Sequence, residues 1–180
     1  KHTYFASLPG MFERTVSCSS LSKTYSITGW RLGYIIAPQK VIDSARKVHD
    51  FLTVGAAAPL QEAAVTALRF PDAYYDDLRE KYTHKRDIFL NALDNAELTY
   101  STPNGAYYVL VDVSEFNVEN DTLFCEWLAQ NVGVAAVPGS SFFRDNINKY
   151  IRFHFAKNDE TIIEAGKRLK DLRKLVEKIL

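Results

Sequence analysis

The first part of the chain alternates between short apolar stretches and polar loops. Residues 14–19 are rich in β-branched and small side chains and predict a strand, and residues 32–37 predict a second, buried strand. The polar, glycine-containing stretch 20–31 predicts a loop between them. Pro38 is a favoured first residue of a helix, and apolar residues recur on one face of the helix that it opens. That stripe consists of Val41, Ala45, Val48 and Leu52.

Two further helices are predicted over residues 60–70 and 73–92, and near Ala96 the pattern changes. Residues 98–101 and 106–113 are β-forming stretches on either side of a Thr-Pro-Asn-Gly turn, which predicts a hairpin. Long helices are therefore followed by a small sheet.

The last part of the chain contains the clearest alternation. Residues 121–131 predict an amphipathic helix, and residues 134–137 a short strand that Pro138-Gly139 stops. Residues 150–156 alternate strictly, so that Arg152 lies on the polar face of a strand whose other face is apolar. The apolar positions are Ile151, Phe153 and Phe155, and the polar ones are Tyr150, Arg152 and His154.

A final helix is predicted from Asn158, which is a good N-cap residue. Its apolar side consists of Ile162, Leu169, Leu172, Val176 and Ile179. Together these elements predict an α/β protein of two parts. The predicted boundary lies near residues 38–55, with the helix after Pro38 as the connector.

Composition narrows the class of protein. Lysine plus arginine and aspartate plus glutamate each number 22, so the net charge is zero, which argues against nucleic acid as a main partner. No apolar run reaches 18 residues, so no membrane span is predicted. Cys18 and Cys125 lie far apart in apolar surroundings, which predicts two reduced core thiols in a cytoplasmic protein. No spacing of ligands predicts a metal site.

The stretch 20–34 carries the candidate chemistry. Lys23 lies in a loop of small, hydroxylated residues just after a strand, where α/β proteins place reactive groups. A lysine among apolar neighbours is a better nucleophile, because its charged form is disfavoured there. The Arg31 guanidinium and the hydroxyls of Ser20 and Ser22 suit an anion. These groups fit a phosphorylated aldehyde, although on spacing alone a solvated surface loop is the more common arrangement.

The sequence Ser-Leu-Ser-Lys-Thr-Tyr-Ser-Ile-Thr-Gly-Trp-Arg-Leu-Gly over residues 20–33 resembles the lysine signature of class I/II pyridoxal-phosphate aminotransferases. Its form is typical of the branch with aspartate, aromatic and kynurenine-type enzymes. Residues 104–108, 137–142 and 150–156 are also similar to segments of that family, so the resemblance extends over essentially the whole chain.

The resemblance implies a fold type I pyridoxal-phosphate transferase fold. Residues 1–50 would be the end of the large cofactor-binding domain and the start of the connector helix, and residues 51–180 the C-terminal small α+β domain. The family is about twice as long, and its ring-binding residues cannot be placed here. We therefore expect a C-terminal portion that is inactive alone and whose sheet around Val16 and Ile35 lies open at an edge.

The resemblance also implies roles for five residues. Lys23 would hold pyridoxal phosphate as a Schiff base and act as general acid and base. Ser20 and Arg31 would hold the phosphate, and Arg152 the α-carboxylate of the amino acid or 2-oxo acid. Tyr107 would line the substrate pocket. Without the resemblance, Arg152 is more often a surface salt-bridge residue, and Tyr107 is equally a core residue.

Two alternatives remain open at this point. One is a lyase or decarboxylase of the same fold. The other is a non-catalytic, aminotransferase-like sensor module of a transcriptional regulator, although nothing basic in the sequence supports it. For an intact aminotransferase the resemblance implies a homodimer.

Overall fold

The computed structural model describes residues 2–117 and 120–176. The chain divides into two compact units, Lys1–Asp72 and Ala73–Leu180. The division between units follows the second helix of the chain. The domain boundary predicted near residue 50 for a longer enzyme stays a prediction.

The first unit contains a two-stranded antiparallel sheet and two helices. Strand β1 (Ser17–Ser20) pairs with β2 (Gly33–Ile36), and helices α1 (Gln39–Leu52) and α2 (Ala58–Leu68) follow. Three short 3-10 turns complete it: Phe5–Ser7, Phe12–Arg14 and Thr28–Trp30. A Cβ atom on Gly33 would lie 2.7 Å from the Ser19 carbonyl oxygen, so this position of the strand pair admits only glycine without a shift of the backbone.

The apolar surface of the first unit is largely uncovered. Strand β2 forms as predicted, but the expectation that it is buried is wrong, since Tyr34, Ile35 and Ile36 are 41%, 47% and 44% exposed. Val16, beside β1, is also exposed, and the exposure of Val16 and Ile35 confirms the separate expectation of a sheet that lies open around these two residues. A two-stranded sheet has too few neighbouring strands to cover its own side chains. The stripe of α1 is likewise not buried, and Val48 and Leu52 are exposed.

The two thiols differ, contrary to the sequence prediction. Both cysteines are free, but Cys18 is exposed on the two-stranded sheet, whereas Cys125 is buried. Burial, together with the nearby Asp121 carboxylate, raises the pKa of Cys125 to about 11. The prediction of two core thiols is therefore right for Cys125 and wrong for Cys18.

This difference predicts selective alkylation of the folded chain. At neutral pH a thiol reagent should label Cys18 at least about tenfold faster than Cys125, because Cys125 is both inaccessible and rarely ionised. Peptide mass spectrometry over a time course measures the two rates, and denaturant should make them similar. Equal rates in the folded chain would contradict the burial of Cys125.

The second unit is a four-stranded antiparallel sheet with helices. Helix α3 (Asp72–Asn95) leads into the strands, whose order is β3-β4-β6-β5. The strands are β3 (Thr99–Ser101), β4 (Tyr108–Asp112), β5 (Val137–Pro138) and β6 (Tyr150–His154). The other helices are α4 (Asp121–Asn131), α5 (Asp159–Leu169) and α6 (Leu172–Val176), and two 3-10 turns are Ser114–Phe116 and Gly139–Phe142.

The core of the second unit confirms the alternation read from the sequence. Ile151, Phe153 and Phe155 are buried, and Val109 and Val111 of β4 join them. Leu93, Leu128 and Leu169 pack on the same core from the helices. Burial of these side chains from three helices and two strands supplies the main stabilisation of the unit.

Helix ends in this unit also follow the sequence. Asn158 caps α5 by accepting a hydrogen bond from the Thr161 amide at 3.1 Å, as predicted. The predicted last helix is in fact two, α5 and α6, with Lys170 and Asp171 between them; Ile179 lies outside the described residues. The strand predicted over residues 134–137 is instead the two-residue β5, Val137–Pro138. The prediction that Pro138 stops it is wrong, because an edge strand tolerates proline.

Residues 2–117 and 120–176 contain neither a helix of membrane-spanning character nor a cluster of metal-binding side chains. No helix there is long and apolar enough to cross a membrane. No group of three or more His, Cys, Asp or Glu side chains in those ranges is arranged to hold a metal ion.

Candidate active site

The lysine loop, residues 20–33, is fixed at both ends by buried leucines. Leu21 and Leu32 are buried and pack with Ala64 of α2. The Leu21 amide donates a hydrogen bond to the Leu32 carbonyl at 3.1 Å, which closes the loop at its base. The apolar residues of the sequence signature thus anchor the loop, and the polar ones are displayed by it.

Ser22 fixes the backbone beside Lys23. It is buried, and its carbonyl accepts hydrogen bonds from the Ile27 amide at 2.9 Å and the Thr28 hydroxyl at 3.4 Å. Its amide donates to the Ser20 Oγ at 3.1 Å. A serine hydroxyl that accepts one hydrogen bond still has a hydrogen to donate, so Ser20 retains a donor for an anion.

The Lys23 side chain is exposed on this fixed backbone. This exposure differs from the apolar surroundings invoked for it from the sequence, and the loop leucines Leu21 and Leu32 are buried against α2. What the loop provides is an accessible primary amine at a defined position.

Arg31, near the end of the loop, has a strained backbone conformation. Its φ of +55° lies in the left-handed region, which costs a non-glycine residue about 1 kcal/mol. Its Nη1 donates to the Thr28 carbonyl at 3.0 Å, and the side chain is exposed. The guanidinium is thus tied back to its own loop, with further N–H donors left for a ligand.

A second group of candidate residues lies on the sheet of the second unit. Arg152 of β6 is half-buried, with its Cζ 4.1 Å from the ring centroid of Tyr108 and 3.8 Å from that of Phe142. Within residues 2–117 and 120–176 it forms no salt bridge. The alternative of an ordinary surface ion pair therefore finds no partner in the part of the chain that the structure describes.

Arg152 and the rings of Tyr108 and Phe142 together form the Arg152 stack, and Tyr107 lies next to it. Its hydroxyl accepts a hydrogen bond from the Tyr108 hydroxyl at 3.0 Å, and its ring packs on Tyr82 with centroids 5.9 Å apart. Burial, with a contribution from the bond to Tyr108, raises the pKa of Tyr107 to about 12. Tyr107 is therefore a neutral phenol at physiological pH. Tyr107 packs against the core, and it also contacts the Tyr108 ring that lies on Arg152.

His154 shares the polar face of β6 with Arg152. Burial and the positive charges of Lys157 and Arg152 lower the pKa of His154. The neutral form of this histidine is thus favoured more than in a freely solvated histidine.

The turn that carries Phe142 is held by a buried carboxyl group. Asp121, at the start of α4, is 1% exposed and accepts hydrogen bonds from the Ser140 amide at 2.7 Å and the Ser140 hydroxyl at 2.9 Å. These bonds fix the 3-10 turn Gly139–Phe142 beside β6.

Removal of this carboxyl group should loosen the turn. Asp121→Ala leaves the Ser140 amide and hydroxyl without their acceptor, so we expect a loss of about 2 kcal/mol in the free energy of unfolding. Urea denaturation of the variant measures the loss. Glu126→Ala, an exposed position of the same helix, is the control and should change stability by less than about 0.5 kcal/mol. Equal effects of the two substitutions would contradict the role given to Asp121.

Comparison with known proteins assigns the chain to a family. The family described as Aminotransferase class I and II matches residues 5–169. The chain belongs to the class I and II aminotransferases.

Similar aminotransferases have several specificities. The chain is 41% identical to the methionine aminotransferase of Escherichia coli, over 95% of this chain and 45% of that protein. It is 33% identical to a kynurenine–oxoglutarate transaminase of Dictyostelium discoideum, over 97% and 45% of the two chains. The crystal structure of an aromatic aminotransferase from Pyrococcus horikoshii superposes with a TM-score of 0.89 at 30% identity, over 100% and 48%. This aminotransferase chain thus spans about half the length of these relatives.

The structure places residues around Arg152 that sequence reasoning missed. Ser20, Lys23 and Arg31 share the lysine loop, and Tyr107 borders the Arg152 stack. Tyr108, Phe142 and Asp121 were not singled out. Tyr108 and Phe142 lie in segments 104–108 and 137–142, which resemble the family, but the sequence did not indicate that they contact the arginine, and no sequence signal connects Asp121 with the arginine strand.

Proposed function

We propose that this chain is the portion of an aminotransferase that anchors pyridoxal phosphate and binds the substrate carboxylate. The enzyme would transfer an amino group between an L-amino acid and a 2-oxo acid. The observation that supports this proposal most strongly is the lysine loop. It presents one accessible amine on a backbone fixed by Leu21 and Leu32, with hydroxyl and guanidinium donors on the same loop.

The donors of the loop fit the cofactor. Pyridoxal phosphate carries an aldehyde and a phosphate, and the loop offers the Lys23 amine for the first and the Ser20 hydroxyl and Arg31 guanidinium for the second. When bound, the cofactor supplies an electron-accepting ring that makes the α-proton of an amino acid acidic. Lys23 would hold the cofactor through its Nζ and, when its amine is free, would take the substrate α-proton as a general base.

Arg152 and Tyr107 have roles in binding substrate under this proposal. The Arg152 guanidinium has no acidic partner among the described residues and would pair with the substrate α-carboxylate through two parallel N–H donors. Tyr107 would line the pocket as a neutral phenol. The intact enzyme would be a cytoplasmic homodimer.

Reductive labelling of the chain tests the cofactor anchor. Pyridoxal phosphate is added, borohydride reduces any C–N double bond, and peptide mass spectrometry locates the adduct. We expect one adduct per chain at saturating cofactor, at Lys23. Lys23→Arg should remove this adduct, and Lys47→Arg, an exposed lysine of α1, should leave it unchanged. Partial labelling scattered over many lysines, with Lys23 not preferred, would contradict the proposed anchor.

A second assay concerns turnover. The chain spans about 45% of its relatives' length, and none of the roles proposed for its residues is a contact with the cofactor ring. We expect no measurable transamination by the 180-residue chain with an amino acid, a 2-oxo acid and pyridoxal phosphate. Turnover at a rate normal for an enzyme would contradict this expectation.

A further inference from the structure

The guanidinium of Arg152 is enclosed between two aromatic rings. The distances from its Cζ to the ring centroids of Tyr108 and Phe142, 4.1 and 3.8 Å, are those of direct contact with each ring. Guanidinium groups pack favourably on aromatic rings, through both dispersion and attraction of the cation to the ring electrons. Two such contacts restrict the side chain more than either one alone.

The position of β6 in the sheet explains how two rings reach one arginine. Strand β6 lies between β4 and β5. Tyr108 comes from β4, where Leu110 is paired with Arg152, so Tyr108 is its diagonal neighbour on the same face. Phe142 comes from the turn that directly follows β5, on the other side of β6. The sheet order therefore supplies one ring from each side.

Each ring is itself held in place. The Tyr108 hydroxyl donates to the Tyr107 hydroxyl, and the two rings pack with centroids 4.3 Å apart. The turn that ends in Phe142 is fixed by the bonds of Ser140 to Asp121. The Tyr108 ring and the turn that carries Phe142 are thus each held by contacts that do not involve Arg152.

We propose that Tyr108 and Phe142 are positioning residues, which hold the Arg152 guanidinium flat so that only its N–H edge can meet a ligand. This inference rests on the proposed role of Arg152 in binding the substrate carboxylate. The edge of a guanidinium matches a planar anion with two oxygens, which it binds through parallel hydrogen bonds. Because the side chain is already ordered, less conformational entropy is lost when the carboxylate binds.

The test follows Arg152 itself in the 180-residue chain by NMR, with pyruvate as the carboxylate probe. Arg152→Lys assigns the arginine side-chain signals by their loss. In the unsubstituted chain these signals should be displaced by the ring currents of Tyr108 and Phe142, and they should shift further as pyruvate is added. The concentration dependence of that shift gives the affinity.

Four substitutions separate positioning from general packing. Tyr108→Leu and Phe142→Leu should each remove much of the ring-current displacement and weaken pyruvate binding by roughly three- to tenfold. Tyr108→Phe keeps the ring and should bind almost as the unsubstituted chain does. Phe143→Leu is the matched control, since the Phe143 ring packs on Tyr150 instead, with centroids 6.0 Å apart. The backbone amide spectrum establishes that each variant is folded.

The possible results separate the positioning role of the two rings from the proposed binding of carboxylate by Arg152. Weaker pyruvate binding in Tyr108→Leu and Phe142→Leu, with unchanged binding in Tyr108→Phe and Phe143→Leu, supports positioning. Unchanged affinity for pyruvate in Tyr108→Leu and Phe142→Leu overturns positioning and leaves carboxylate binding by Arg152 intact. Absence of pyruvate binding, or binding that Arg152→Lys does not weaken, overturns the proposed role of Arg152 and with it this inference.

Discussion

Replacement of Lys23 by alanine should abolish transamination by the enzyme that carries this sequence. We expect kcat to fall by more than about 10⁴-fold, because a general base alone contributes up to about that factor and Lys23 would also be the covalent anchor of the cofactor. Lys23→Arg should lose as much, since a guanidinium keeps the charge but is neither a nucleophile nor a base at neutral pH. Steady-state kinetics with saturating pyridoxal phosphate measures both losses.

Stability measurements make this result interpretable. Lys23 is exposed, whereas the loop is held by Leu21, Ser22 and Leu32, so either substitution should change the free energy of unfolding by less than about 0.5 kcal/mol. A loss of activity without loss of stability then reports chemistry rather than folding. Lys47→Arg on α1 is the control and should retain full activity. A Lys23→Ala enzyme within tenfold of normal activity would remove Lys23 from the mechanism.

The alternation of residues 150–156 was enough to predict β6 and to place Arg152 on the face opposite its core residues. Period-two alternation is a local property, and so are the turn residues of the hairpin and the N-cap at Asn158. These features were therefore available from the sequence. The same is true of the helix over residues 121–131, whose predicted bounds the structure reproduces.

Burial in the first unit could not be predicted in the same way. The apolar residues of β2 and the position of Cys18 indicate faces that favour contact, but the pattern does not say what covers them. In this chain they are exposed. The surroundings of Lys23 could not be predicted for the same reason. The leucines of its loop pack on α2, which is distant in sequence.

The Arg152 stack shows the same limit at the site itself. Tyr108 lies in a strand of the predicted hairpin, but the pairing of that strand with β6 was not predicted. Phe142 and Asp121 depend on the path of the chain between α4 and β5 and on hydrogen bonds between residues 19 positions apart. Contacts of this kind depend on the packed fold, and they cannot be predicted from the local sequence.

Gly139→Ala should destabilise the second unit by about 3 kcal/mol, near the upper end for overpacking a buried site. Gly139 is buried at the point where the chain leaves β5 and passes over the first residue of β6. A Cβ atom there would lie 2.5 Å from the Tyr150 carbonyl oxygen and 2.9 Å from its carbonyl carbon. Both are backbone atoms of a paired strand, so the turn must move away.

Gly105→Ala is the matched control, because a Cβ atom at Gly105 meets nothing within 4 Å. The same chemical change in the same unit should then alter the free energy of unfolding by less than about 0.5 kcal/mol. Since the displaced turn carries Phe142, Gly139→Ala should also reduce the ring-current displacement of the Arg152 signals, which Gly105→Ala should leave intact. If both variants unfold at the same urea concentration, the close approach of Gly139 to Tyr150 is not a constraint on the fold. If Gly139→Ala is destabilised and Arg152 keeps its signals, the position of Phe142 does not depend on this crossing.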